Sequence, residues 1–387
     1  MKTNSQAQNS SLNYTKKSST LENNIQVLLD YADIQINGSR PWDIQVHDPR
    51  AYKMALKSGS LGLGEAYMAG LWDCQQLDTM ITKMLEAKLE GKLKTNLGLL
   101  VRLFTHKIFN FQTQSRAFEV GEKHYDIGNS LYQRMLDPTM SYTCAYWQHA
   151  KTLEQAQLAK LELICQKLEL EPGMKLLDIG CGWGGMAKYA AENYGVKVVG
   201  VTISKEQQHY AQDYCKGLPV EIRLQDYRDL NETFDRIVSI GMFEHVGPKN
   251  YQTYMEVAHK SLKEGGLFLL HTIGNNISTV KIDDWVEKYI FPNAVIPSIN
   301  QIGKAAEELF VMEDWHNFGP DYDKTLCAWH DNFTRTYHEI EQDYSPRFYR
   351  MWRYYLMSCA ACFRSRDIQL WQLVLSKGRA QKYISHR

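Results

Sequence analysis

The stretch Leu176-Leu-Asp-Ile-Gly-Cys-Gly-Trp-Gly-Gly185 carries residue types that can hold a nucleotide-type cofactor. An apolar run reaches Asp178, and glycines at 180, 182 and 185 follow in the pattern G-x-G-x-x-G. Missing Cβ atoms permit a tight turn and let a ligand approach backbone N–H groups where a helix begins. The pattern alone also suits a strand-to-helix turn that binds nothing. A dehydrogenase needs an acid about 20 positions further on, at the end of the second strand, to hold a ribose. Here that strand reads Lys197-Val-Val-Gly-Val-Thr-Ile-Ser204 and carries none. The acids fall instead at Asp178, before the turn, and at Asp226, after the apolar segment Val220 to Leu224.

Elements that could position these residues alternate regularly. Helical patterns at 152–168, 184–194, 204–216 and 248–263 separate apolar strands at 175–179, 197–202, 220–224, 234–240 and 266–272. Strands spaced by helices of this length imply parallel crossovers and a doubly wound α/β sheet. Ligands then collect at the carboxyl ends of the strands, where strand order reverses. After Ile273 the sequence suggests an aromatic-rich insertion, a further helix-strand unit and a helical tail.

Residues 1–20 are polar, without a hydrophobic stretch, and read as a disordered tail rather than a signal peptide. Residues 21–112 read as a small α+β domain with a linker helix. Turn cues fill Ile34 to Ser39 and Ser58 to Tyr67, and a basic amphipathic segment, Leu77 to Phe111, could lie on anionic headgroups. Read on its own, the segment is explained better as an ordinary solvated helix linking two domains. Residues 113–387 read as the catalytic domain.

Lys plus Arg equals Asp plus Glu at 44 each, so no global field draws the chain to nucleic acid. Eight scattered cysteines in a large chain fit a reducing, cytoplasmic setting. Cys359-Ala-Ala-Cys362 lacks a second pair for a zinc site and reads as helix packing. No apolar run approaches the roughly 20 residues that span a bilayer.

The distribution of acids around the glycine turn resembles that of class I S-adenosylmethionine-dependent methyltransferases, with a Rossmann-like doubly wound sheet. Residues 25–375 resemble, more specifically, the bacterial cyclopropane-fatty-acyl-phospholipid synthases, relatives of the mycolic acid cyclopropane synthases. The matching segments stand in family order: His124-Tyr-Asp-Ile-Gly-Asn129, Tyr142-Thr-Cys-Ala-Tyr-Trp147, the glycine turn, Val201-Thr-Ile-Ser-Lys-Glu-Gln207 and Gln225-Asp-Tyr-Arg-Asp-Leu230. Gly241-Met-Phe-Glu-His-Val-Gly247, His271-Thr-Ile-Gly274, Lys288-Tyr-Ile-Phe-Pro-Asn293 and Phe318-Gly-Pro-Asp-Tyr322 complete the series.

The resemblance implies transfer of the methyl carbon of S-adenosylmethionine to a cis double bond of a phospholipid acyl chain at the membrane surface, closing a cyclopropane ring. It also implies peripheral association with the inner face of the membrane and a homodimer. Cofactor contacts implied by matching positions are Tyr142, Thr143, Asp178, Gly180, Gly182, Thr202, Gln207, Asp226 and Tyr227, with ribose held by neutral groups. A carbocation must then lose a proton, and the family's base is a bound bicarbonate ion. The residues matching its site are Cys144, Glu244, His271, Ile273 through its backbone amide, and Tyr322. Direct action of Glu244 as the base stays open. Taken singly, Cys144 reads better as a small buried hydrophobe and His271 as a satisfied core histidine; their coincidence with strand-end positions and with the family's motifs reverses that.

Overall fold

The computed structural model describes residues 22, 23, 25–89 and 128–387. The tail at 1–20, most of the basic segment and the first four residues of the His124–Asn129 motif lie outside these described residues. The chain forms two compact units.

One unit contains the described residues before position 90 together with Asp283–Trp285 and Asp343–Ser365. Its two-stranded sheet pairs β1 (Gln45–Val46) antiparallel with β2 (Trp72–Asp73). The glycine-rich stretch read as turns is one helix, Arg50–Met68, broken at Gly59. Within that helix Gly64 leaves room for Trp285, since an added Cβ there would stand 2.4 Å from the indole Cδ1. Helix Pro346–Arg364 belongs to this unit, and its Arg350 donates to the Tyr67 carbonyl at 2.5 Å and to Asp73 Oδ1 at 2.7 Å.

The second unit is built on a seven-stranded sheet: β3 (Lys175–Ile179), β4 (Lys197–Thr202), β5 (Val220–Leu224), β6 (Phe234–Ile240), β7 (Leu262–Asn275), β8 (Val311–Asn317) and β9 (Ile368–Ser376), in the order β5-β4-β3-β6-β7-β9-β8. The first five strands run parallel, with order reversing between β3 and β6. Alternate residues bury on opposite faces, as period-2 geometry requires. Leu177, Ile179, Val199 and Val201 enter one core cluster; Leu176, Val198 and Ile222 enter the other.

The expected helical tail is a correction. Helix Pro346–Arg364 forms, but β9 follows it and pairs antiparallel with both β7 and β8. Its sequence, Ile368-Gln-Leu-Trp-Gln-Leu-Val-Leu-Ser376, is almost wholly buried, so no polar face marks a strand period. Helix Leu153–Lys167 is capped by Thr152, whose hydroxyl accepts the Gln155 N–H. Ser204 caps helix Lys205–Tyr214 in the same way.

Candidate active site

Where β3 ends, Gly180 adopts a φ of +81°, and a Cβ there would meet Met242 Cγ at 2.8 Å. Its N–H and that of Cys181 both donate to the Val201 carbonyl, at 2.9 and 3.1 Å, tying the turn to β4. Around this turn, at the carboxyl ends of β3 to β6, lies one cavity whose walls include all nine cofactor positions expected from sequence: Tyr142, Thr143, Asp178, Gly180, Gly182, Thr202, Gln207, Asp226 and Tyr227.

Asp178 is buried, and its Oδ2 has no hydrogen-bond partner. Burial pushes its carboxyl up to about 7, with Lys160 pulling the other way. Thr202 donates its hydroxyl to Gln207 Oε1 at 3.0 Å, which leaves the Gln207 amide N–H groups as donors. Asp226 is already in a fork with Arg228, whose Nε and Nη2 stand 2.8 and 2.7 Å from its two oxygens.

The expected proton-handling residues do not border that cavity; they stand against it. Glu244, in the turn after β6, accepts the Ile273 N–H on Oε1 at 2.7 Å, while its Oε2 is buried without a partner. The Ile273 amide is thus committed to orienting Glu244. Burial raises the Glu244 carboxyl to about 7. His271 on β7 pairs with Ile240 of β6 and Gln372 of β9. Gln372 Nε2 reaches His271 Nδ1 at 3.2 Å, so we assign the ring proton to the buried, unpartnered Nε2. Burial holds His271 well below its ordinary value, keeping it neutral.

Cys144 is fully buried, and burial pushes its thiol upward. Helix Pro320–Thr336 secures the Cys144 loop: Ala145 N–H donates to Thr325 Oγ1 at 3.1 Å and Trp147 N–H to Asp321 Oδ2 at 2.7 Å. Tyr322 on that helix packs edge-on against Trp329, which in turn packs on Tyr142. Phe318 joins the two sides, 5.9 Å from the His271 ring and 5.3 Å from Tyr146. The cavity and the proton-handling group share a wall: Gly241 lines the first and donates its N–H to the His271 carbonyl at 2.9 Å.

Sequence reasoning missed three residues. Lys160 lines the cavity at 1% exposure and donates to Ser141 Oγ and Thr143 Oγ1. Its signal was a lysine on the apolar stripe Leu153, Ala156, Leu161, Ile164 of a helix. His245 also lines the cavity, and burial lowers it to about 4. Gln372, which sets the His271 tautomer, had no signal because its strand was read as helix.

An unpartnered buried carboxylate oxygen, a glycine turn with open space at Gly182, and neutral donors at the end of β4 fit S-adenosylmethionine. The unpartnered Glu244 Oε2 and His271 Nε2 fit a small hydrogen-bonding anion. Fold and cavity together define a class I methyltransferase.

Residues 112–373 match the family model described as mycolic acid cyclopropane synthetase. The chain is 58% identical over 351 residues to the cyclopropane-fatty-acyl-phospholipid synthase of Escherichia coli K12, covering 91% of this chain and 92% of that one. Among solved structures, the cyclopropane synthase MmaA2 from Mycobacterium tuberculosis superposes with a TM-score of 0.64 at 34% identity, over 67% of this chain and 98% of that one. Mycolic acid cyclopropane synthase CmaA1, complexed with SAH and CTAB, superposes with a TM-score of 0.64 at 33% identity, over the same shares of the two chains. The chain belongs to this cyclopropane synthetase family of S-adenosylmethionine-dependent methyltransferases. Among the described residues no helix is long and apolar enough to cross a membrane.

Proposed function

We propose that this enzyme adds the methyl carbon of S-adenosylmethionine, as a methylene bridge, to cis double bonds of unsaturated phospholipid acyl chains, forming cyclopropane fatty acids. The observation that carries the reading is the pair of buried, unpartnered polar atoms, Glu244 Oε2 and His271 Nε2, set against a cofactor cavity. Simple amine methylation asks only for approach and loss of an acidic proton. A methylated alkene becomes a carbocation, and ring closure needs a proton taken from the added methyl itself.

S-adenosylmethionine supplies an electrophilic methyl group when bound. Asp178 receives the cofactor's ammonium through its unpartnered oxygen, and the Gln207 amide offers its N–H groups to the ribose. Met140, Met186, Ile240, Met242 and Val246 line the cavity and keep water from the reacting carbon. The rings of Tyr142, Trp329 and Tyr322 form a continuous aromatic group near the Cys144 loop. Such faces stabilise a desolvated cation by about 2 kcal/mol each.

A bicarbonate ion supplies a weak base when bound. Glu244, as carboxylate, accepts that ion's acidic proton and so raises its basicity, while His271 Nε2–H donates to it. Cys144 and Tyr322 complete the anion site in this reading, and Ile273 acts through Glu244. The substrate is reached at the inner face of the membrane by peripheral association, in a homodimer. The basic stretch between Leu77 and Phe111 supports a membrane or dimer role for the N-terminal region.

Expression in cells rich in unsaturated phospholipids tests the reading. Mass spectrometry of the acyl chains should show products heavier by one methylene that resist alkene-selective hydrogenation. Unchanged lipids from a folded, cofactor-binding enzyme would sink the proposal.

A further inference from the structure

Lys160 is a charged side chain with almost no access to water and no carboxylate attached to it. Its Nζ donates to Ser141 Oγ at 3.3 Å and Thr143 Oγ1 at 3.2 Å, both hydroxyls on residues that line the cofactor cavity. An ammonium has three N–H donors, so one is left over. Asp137 lies near enough to act on it by charge, yet its oxygens are taken by the Thr139 N–H, the Thr139 hydroxyl and the Ser141 N–H. Thr143 accepts from Lys160 and keeps its own O–H to donate. Burying a cation without a partner is costly, and retained buried cations face an anion.

The same cavity holds the opposite defect. Asp178 has a buried carboxylate oxygen with no donor. Burial brings Lys160 down to about 8 and Asp178 up to about 7; each group's charge partly offsets the other's burial, yet the two make no direct hydrogen bond. A ligand that carries both charges on one carbon satisfies both at once. An α-amino acid is such a ligand.

Resting on the methyltransferase reading of this cavity, we propose that Lys160, with the Thr143 hydroxyl, receives the α-carboxylate of the cofactor's amino-acid end, while Asp178 receives its α-ammonium. Lys160 then selects cofactors that retain the carboxylate. The competing role is a strut. Gln157 Nε2 holds the carbonyls of Ser141 and Thr143 at 3.2 and 2.9 Å, and Lys160 would merely complete that brace.

Calorimetric titration of the full chain with S-adenosylhomocysteine and with its decarboxylated analogue separates the two. In the unaltered protein the analogue binds about 10- to 100-fold more weakly, the effect of one charge-assisted hydrogen bond. Lys160→Met weakens S-adenosylhomocysteine by a similar factor and leaves the analogue within about twofold of its parental affinity. Equal losses for both ligands identify a strut and overturn the assignment. Should Lys160→Met fail to fold, the ratio in the unaltered protein still decides, since equal affinities there also overturn it. If neither ligand binds the unaltered protein, the methyltransferase reading falls and this assignment with it.

Discussion

Glu244 accepts the Ile273 N–H on Oε1 at 2.7 Å, and its Oε2 lies buried with no partner. One oxygen fixes the carboxylate to β7 and the other is held ready. Glu244→Gln keeps the first contact, because an amide oxygen accepts the same N–H, and puts a donor where the free acceptor stood. Turnover on phospholipid vesicles should fall about 10²- to 10⁴-fold, the usual span for a proton-transfer group. Calorimetric affinity for S-adenosylhomocysteine should hold, and parental turnover would count against the base site.

Asp178 and Glu244 are both raised to about 7 by burial, above the values near 4 of an unfolded chain. Groups raised in this way stabilise the fold fully below their unfolded values. That contribution disappears as pH rises through about 7, at about 1.4 kcal/mol for each tenfold difference in proton affinity between the folded and unfolded chain. Without ligand, the thermal midpoint should therefore decline between mildly acidic and mildly alkaline buffer, and Asp178→Asn should flatten part of the decline. A parental and variant pair with the same pH slope would refute the assignment to Asp178.

Gly241 has a φ of +67°, and a Cβ there would stand 2.7 Å from Thr143 Cγ2. Gly241→Ala should cost about 1–2 kcal/mol from the left-handed backbone alone. It should also displace Thr143, lowering cofactor affinity, and denaturant titration with calorimetry would read both. Gly303→Ala is the control: this helical glycine has open space, so it should stabilise by up to about 1 kcal/mol.

Asp314 on β8 holds two cations. Lys167 Nζ is 3.5 Å from Oδ2 with no exposed side-chain surface, and Arg387 reaches both oxygens at 2.6 Å. Burial works to raise the Asp314 carboxyl, but Arg387 and Lys167 outweigh it and hold it low. Its stabilisation is therefore present above the unfolded value and lost as acid carries the pH through the lower folded one. Asp314→Ala should cost about 3–5 kcal/mol in urea unfolding by stranding Lys167, whereas Arg387→Ala, at a 43% exposed side chain, should cost far less. Equal costs would show that the buried lysine is not the source.

Strands β3, β4 and β6 were legible because each carries a short apolar run that reaches both core clusters, and edge strand β5 because Ile222 is buried between the polar Glu221 and Arg223. Seven of the nine cofactor positions expected from sequence stand close to the ends of β3, β4 and β5, whereas Tyr142 and Thr143 come from a loop well before β3 and were named only by the resemblance. What sequence could not reveal depends on residues brought from afar. Lys160 enters from the helix preceding the glycine turn, and Gln372 comes from a strand more than a hundred positions beyond Ile240. In the small unit, glycines at 62 and 64 mimic a loop, although one faces the Met54 carbonyl and the other Trp285 within a helix. Close packing and chain flexibility demand the same residue.

The placement of β9 between β7 and β8 bears on the order in which a ribosome delivers the parts. The glycine turn and the walls of the cofactor cavity from β3 to β6 emerge while residues up to about Gly241 are being made. The strand carrying Gln372 arrives nearly last. Until then β7 has an open edge, His271 lacks the neighbour that fixes its ring proton, and β8 has nothing to pair with. A growing chain therefore completes the strands around the cofactor cavity before the strand that sets the His271 ring arrives.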